Sequence, residues 1–500
     1  MKHRKVPGAT WIFVAVMVVF NAGYAQDDRC TALSKPALFA DTVVTSTTTM
    51  TMAPNGAPAF CEIDAVISSA TDSHVGVVYR LPAQWNGKLL GLGGGGWMGN
   101  ISLNGAMAGL TRGYATMQTD TGHPIDSGFD TRWAIGASGT PNTAAIEDFG
   151  YRAVHLMTEV GKQVAAAYYG KQQTRAYWQG CSTGGRQGFM EVQRYPDDYD
   201  GVIAGAPVYD LLTTTGALTR YNNFASPQRR LAPTHLELLN RAVLKACDQL
   251  DGKPDGIVVD PRACHWDPKE LQCKAGQSGD TCLTSDQVDA VRVAYAGVKT
   301  QDGHVAAYPL SRGGELGWTR FAFATEEPPG DNASVGMNGL RAALFDDADY
   351  DLRRFDVNRD VARARSSTLA NTYEAIDPNL SAFVRHGGKL IIWHGFYDPG
   401  PGPTGTIAYY EQARRATQTS TDIDQSIRLF LAPGVAHCGG GPGPDRIDFL
   451  SALDKWVEQD KAPTQITATK QNSTLTWPVC AYPALPRGDA RNQGVSYTCK

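Results

Sequence analysis

A serine hydroxyl is a poor nucleophile at neutral pH, and the stretch Gly180-Cys181-Ser182-Thr183-Gly184-Gly185 has the composition that can activate one. It follows the apolar-aromatic run Arg175-Ala176-Tyr177-Trp178 and precedes Arg186-Gln187-Gly188-Phe189-Met190-Glu191-Val192, which has the spacing of a helix. Strand, glycine-flanked turn and helix make a nucleophile elbow of the form G-x-S-x-G, in which small residues let a strained backbone pass close to itself. Such a serine needs a base and an orienting acid, in the chain order Ser, Asp or Glu, His. The apolar run Lys389–Gly395 leads into Asp398, and the run Ile427–Leu431 leads through Ala432–Ala436 to His437. Both lie on loops after strands, so the expected triad is Ser182, Asp398 and His437. Cys181 precedes the serine and Cys438 follows the histidine; if the triad forms, the two thiols meet, and a disulfide would tie nucleophile to base.

The elements that must position these groups alternate. Val75–Leu81 and Lys88–Leu92 read as strands, the second running into Gly93-Gly94-Gly95-Gly96-Trp97. Gly91–Gly96 fits the dinucleotide pattern G-x-G-x-x-G, but no helical spacing follows, and no Gly-Lys-Ser/Thr marks a phosphate loop. The better reading is a loop donating one backbone N–H to an oxyanion hole, from Gly95 or Gly96, with Thr183 N–H as the second donor. Tyr114–Asp120 is a further strand, Ala145–Tyr169 a helix (Val154, Met157, Val160, Val164 on one face), and Tyr199–Pro207 the next strand. His123 precedes the serine, the wrong order for its base. This β-α-β order predicts a mainly parallel sheet covered by helices. The alternation lapses from about Val208 to Thr368, predicting an insertion that sits over the site and selects substrate. Trp318, Phe321 and Phe323 could line its pocket or simply pack beneath it.

The net charge of −4 and 42% hydrophobic content suit a large buried core and give no reason to expect nucleic acid or an anionic membrane as partner. Lys2, Arg4 and Lys5 precede the apolar run Trp11–Phe20 and Gly23-Tyr24-Ala25, the signature of a secretory signal peptide cut after Ala25. The run is too short to span a bilayer, so the expected mature protein is secreted or periplasmic and free of the membrane. Ten cysteines, an even number without any C-x-x-C pair, read as disulfides rather than zinc ligands. Cys247–Ile257 gathers three aspartates, two glycines and a proline, which could wrap oxygen donors around a hard cation or form a solvated acidic turn. It is not an EF-hand, because Arg262 stands where the twelfth-position glutamate belongs.

Gly-Cys-Ser-Thr-Gly-Gly-Arg-Gln-Gly from Gly180, His-Gly-x-x-Asp-Pro from His394 and the pair His437-Cys438 resemble the tannase/feruloyl esterase family over nearly the whole chain, about Cys30 to Cys499. The resemblance implies an α/β-hydrolase fold with a mainly parallel sheet and a large inserted lid domain. The implied division is a signal peptide at 1–25, a catalytic domain at 26–207 and 369–500, and a lid with a calcium site at 208–368. With sequence proximity, it pairs Cys30–Cys61, Cys181–Cys438, Cys247–Cys264, Cys273–Cys282 and Cys480–Cys499. It assigns a structural Ca2+ to the side chains of Asp248, Asp251 and Asp255 and the carbonyls of Lys253 and Ile257. It implies an ester hydrolase acting on small aromatic esters or feruloylated polysaccharide, with tannin galloyl esters and mono(2-hydroxyethyl) terephthalate as alternatives. An acyltransferase is the rival among enzymes. A non-catalytic exported protein binding glycans or phenolics is the rival outside them.

Overall fold

A computed structural model of the chain describes residues 28–51, 56–124, 131–277, 279–320, 340–345, 347, 349–351, 354–419, 422–488 and 497–500. The expected signal peptide, Phe321 and Phe323 lie outside them. Nine strands form one sheet: β1 Thr42–Met50, β2 Phe60–Ile67, β3 Val75–Pro82, β4 Lys88–Leu92, β5 Ala115–Thr119, β6 Arg175–Cys181, β7 Gly201–Gly205, β8 Lys389–Gly395 and β9 Ile427–Ala432. Their order is β1-β2-β3-β5-β4-β6-β7-β8-β9. Pairs from β5 onward are parallel, whereas β1, β2, β3 and β5 pair antiparallel. This is the expected α/β-hydrolase arrangement. Strands β1 and β2 precede Val75, where the expected alternation of strands starts, and are additional to it. The threonine-rich β1 carries no apolar alternation because it is an edge strand with a mostly exposed face. In β2, by contrast, alternate residues are buried, the period-two pattern of a strand with one covered face.

The central strands read as near-continuous apolar runs because helices cover both faces of a parallel sheet. Helix α1 (Ala153–Tyr169) buries Val154, Met157, Val160 and Val164, and stops at Gly170, whose φ of 69° is left-handed. The single helix expected over 145–169 is in fact broken: Thr143–Glu147 is α-helical, Asp148–Arg152 widens into a π turn, and α1 follows. The wide turn exposes carbonyls that a buried arginine takes up, as described below. Helix α2 (Thr183–Arg194) follows β6, α3 (Pro403–Ala416) follows β8, and α4 (Phe449–Gln459) packs on β7 and β8.

Between β7 and β8, no described strand joins the main sheet. Helices Leu212–Phe224, Pro233–Cys247, Ser285–Ala296 and Val357–Arg365 occupy this stretch, stapled by Cys247–Cys264 and Cys273–Cys282. Trp318 is buried there against Tyr295 at 5.4 Å, so it packs rather than lining an open pocket. The other disulfides are Cys30–Cys61, Cys181–Cys438 and Cys480–Cys499, the pairing implied by the resemblance. No described helix is long and apolar enough to cross a membrane.

Candidate active site

Register places the site. Gly180 and Cys181 of β6 lie beside Ala204 and Gly205 of β7, and His394 and Gly395 of β8 beside Leu431 and Ala432 of β9. The carboxyl ends of the parallel strands therefore finish on one edge, where ligand sites of open α/β sheets form. Ser182, Asp398 and His437 all leave from that edge.

Ser182 sits between β6 and α2 with φ 61° and ψ −119°, a conformation non-glycine residues adopt only under constraint. The constraint is the packing of its glycines. A Cβ on Gly180 would drive into the carbonyl of Gly184, one on Gly185 into the carbonyl of Gly205, and one on Gly184 would lie 2.9 Å from Gly93 Cα. Trp178 Nε1 donates to Gly184 O at 2.9 Å and Ser182 N to Gly205 O at 2.9 Å, closing the turn. Gly180→Ala should therefore destabilise the protein by at least about 1–3 kcal/mol and displace the serine. Melting and ester turnover check this; wild-type turnover by the variant would refute the packing argument.

His437 Nε2 is 2.9 Å from Ser182 Oγ, and His437 Nδ1 is 2.6 Å from Asp398 Oδ2. The other carboxylate oxygen, Oδ1, accepts from Gly400 N at 2.8 Å. Asp398 is buried, and burial alone would raise its carboxyl. The charge of His437 and hydrogen bonds from His394 and His437 outweigh that and hold it well below the usual carboxylate range. Cys181 and Cys438 are bonded across the site, with Cα atoms 5.9 Å apart and Cys438 exposed to solvent.

The glycine loop is clamped to the elbow. Gly184 N donates to Gly94 O at 3.0 Å, Gly94 N to Gln187 Oε1 at 2.9 Å, and Thr183 Oγ1 to Gly96 O. Of the two glycines weighed as donors, Gly95 already gives its N–H to Met98 O at 3.2 Å, whereas no such bond occupies the Gly96 N–H among the described residues.

Four side chains of this site have roles that the sequence motifs do not assign. Arg186 is fully buried and donates to Gly150 O at 2.7 Å and Phe149 O at 2.8 Å in the π turn, and to Tyr373 O at 3.3 Å. Its guanidinium lies over the Tyr373 ring at 4.4 Å, and burial pushes it down to about 10. Gln187 holds the glycine loop as described above, so the Arg-Gln half of the serine motif fastens the elbow to its surroundings. His394 and Arg220 approach Asp398. His123 is buried elsewhere, stacked on Trp133 at 4.2 Å with Nε2 2.9 Å from Trp97 O.

The aspartate loop is compact. Asp248 accepts from the N–H groups of Gly256 and Ile257, Asp251 from Lys253 N–H, and Asp255 from Ile257 N–H and the Tyr497 hydroxyl. Burial first, then the charges of Asp255 and Asp248, push the Asp251 carboxyl up to about 6 against its bond from Lys253. Asp251 Oδ2 is buried with no protein partner. Among the described residues no three or more His, Cys, Asp or Glu side chains are grouped so as to hold a metal ion by themselves. The orphaned oxygen and crowded carboxylates nevertheless fit a hard cation completed by backbone carbonyls.

A family model described as tannase and feruloyl esterase matches residues 61–499. The chain belongs to that family. It is a carboxylic ester hydrolase of the feruloyl esterase/tannase type. It is 34% identical over 467 residues to a probable feruloyl esterase of Arthroderma benhamiae, covering 87% of this chain and 86% of that protein. It is 32% identical over 503 residues to the mono(2-hydroxyethyl) terephthalate hydrolase of Piscinibacter sakaiensis, covering 86% and 82%. The crystal structure of feruloyl esterase B from Aspergillus oryzae superposes with a TM-score of 0.85 at 26% identity, covering 95% of this chain and all of that one.

Proposed function

We propose that the protein is an exported serine esterase that cleaves esters of aromatic acids, hydroxycinnamoyl esters foremost, through Ser182, His437 and Asp398. The observation that carries this reading is the unbroken hydrogen-bond chain from Ser182 Oγ through His437 to Asp398. In the first half-reaction His437 Nε2 takes the serine proton as Oγ attacks the ester carbonyl carbon. Asp398 holds the imidazole and stabilises the imidazolium. Thr183 N–H and Gly96 N–H receive the oxyanion. The imidazolium returns its proton to the leaving alcohol; water, deprotonated by the same histidine, then releases the acid and restores Ser182.

Asp398 is held ionised throughout the range in which an imidazole titrates. The acid limb of kcat/KM should therefore report a histidine, with the rate falling about tenfold per pH unit below about pH 6. A pH–rate profile already maximal at pH 4 would contradict the assignment.

The feruloyl ester preference is supported by the family and by the name of the Arthroderma relative. The Piscinibacter relative favours terephthalate half-esters as a second reading, and galloyl esters follow from the tannase half of the family description. Turnover of methyl ferulate, methyl gallate and mono(2-hydroxyethyl) terephthalate separates the three. No turnover of any ester, together with no labelling of Ser182 by a fluorophosphonate, would return the non-catalytic binding reading. Export is supported by the charged-then-apolar amino-terminal stretch and by five disulfides.

Residues 208–368 are proposed as the lid. The helix Leu212–Phe224 supports this by reaching the acid loop, where Arg220 Nη2 donates to Gly400 O at 2.9 Å. A calcium ion held by Asp248, Asp251 and Asp255 with the carbonyls of Lys253 and Ile257 would brace that region by neutralising its carboxylates. A chelator should lower the melting temperature by several degrees, and added Ca2+ should restore it. Identical melting with and without chelator would remove the cation from the account.

A further inference from the structure

Two imidazoles grip Asp398, and the reaction as written uses one. The other, His394, stands at the end of β8 and is fully buried. Its Nε2 lies 3.0 Å from Asp398 Oδ2, the same oxygen that receives His437 Nδ1, and its Nδ1 lies 2.7 Å from Thr406 Oγ1 at the start of α3. An ionised carboxylate only accepts, so His394 Nε2 carries a proton. In the neutral ring Nδ1 then accepts, and the Thr406 hydroxyl donates to it. Arg220, also buried, donates to Gly400 O at 2.9 Å on the loop that carries Asp398.

We propose that His394 is a positioning residue for the reaction: held in one tautomer by Thr406, it fixes the rotation of the Asp398 carboxylate and draws charge from the oxygen shared with His437. The inference rests on the triad reading above. Two physical consequences follow. Without His394 the carboxylate loses one of the bonds that orient it, so His437 is aimed less well and kcat falls. Oδ2 also becomes more basic towards His437, so the His437 imidazolium is favoured and the neutral base is lost at higher pH. The groups facing Asp398 that set this balance are His394, His437, Arg220 and the Gly400 N–H.

The test compares His394→Phe, which removes the donor, with His394→Gln, which keeps an N–H at similar reach. His394→Phe should lower kcat by about 10–100-fold, as losing a partner that orients a functional group does, with KM within about twofold. Its acid limb should move up by roughly half a pH unit or more. His394→Gln should stay within about fivefold of wild type, with an unshifted limb. A folded His394→Phe with wild-type kcat and pH profile, or a glutamine variant no better than phenylalanine, overturns the proposal. If His394→Phe does not fold, Thr406→Val removes the hydroxyl that sets the tautomer. It should show the same upward shift with a smaller rate loss, and an unchanged profile overturns the proposal equally. Asp398→Asn is measured alongside: wild-type turnover there would refute the triad itself. An inactive Asp398→Asn beside a normal His394→Phe refutes only the role of His394.

Discussion

Replacing Ser182 with alanine is expected to reduce ester turnover on the order of 10^4- to 10^6-fold while leaving the protein folded. The size follows from the site: Oγ is the atom aligned with His437 Nε2 at 2.9 Å, and its loss leaves only substrate binding and the oxyanion donors. Folding should survive because the hydroxyl carries none of the contacts that close the elbow. Those belong to Trp178, the glycines and the backbone of β7. The measurement is steady-state hydrolysis of the preferred aromatic ester, with melting and labelling by a fluorophosphonate. Wild type should be labelled at Ser182 and the variant should not. Turnover within tenfold of wild type in the variant would reject serine catalysis.

The second large effect is expected from opening Cys181–Cys438, by reduction or by the double change Cys181→Ala and Cys438→Ala. The bond joins residues 257 apart in sequence, so its removal should cost about 5 kcal/mol on chain-entropy grounds. Activity should suffer beyond stability, because each cysteine adjoins a group whose mutual distance governs proton transfer. Cys438 itself has a positive φ of 59°. A misplacement of about 1 Å between serine and base can lower the rate about 100-fold. Exposure of Cys438 gives a small thiol access, so mild reductant should inactivate the native enzyme before it unfolds. Equal melting and equal rate with and without the bond would show that the two loops hold the site unaided.

The serine motif, the order of the triad and the cysteine beside each end of it are local statements, and the sequence determined them. A strained turn can be built only from residues small enough to pass it, and Gly180, Gly184 and Gly185 declare that need in the chain itself. The parallel core of the sheet was legible for a similar reason, since strands buried on both faces are apolar throughout. The tertiary structure decided what depends on partners distant in sequence. Nothing near Arg186 predicts the π turn whose carbonyls it binds, because that turn lies more than thirty residues upstream. The edge strand β1 has a mostly solvated face and so no periodic signature. His394 stands in one motif with Asp398, but its part is set only when folding closes Asp398 and Thr406 onto its two ring nitrogens. A side chain's chemistry is fixed by its type, but its protonation, orientation and partners are fixed by what the fold places within about 3 Å of it.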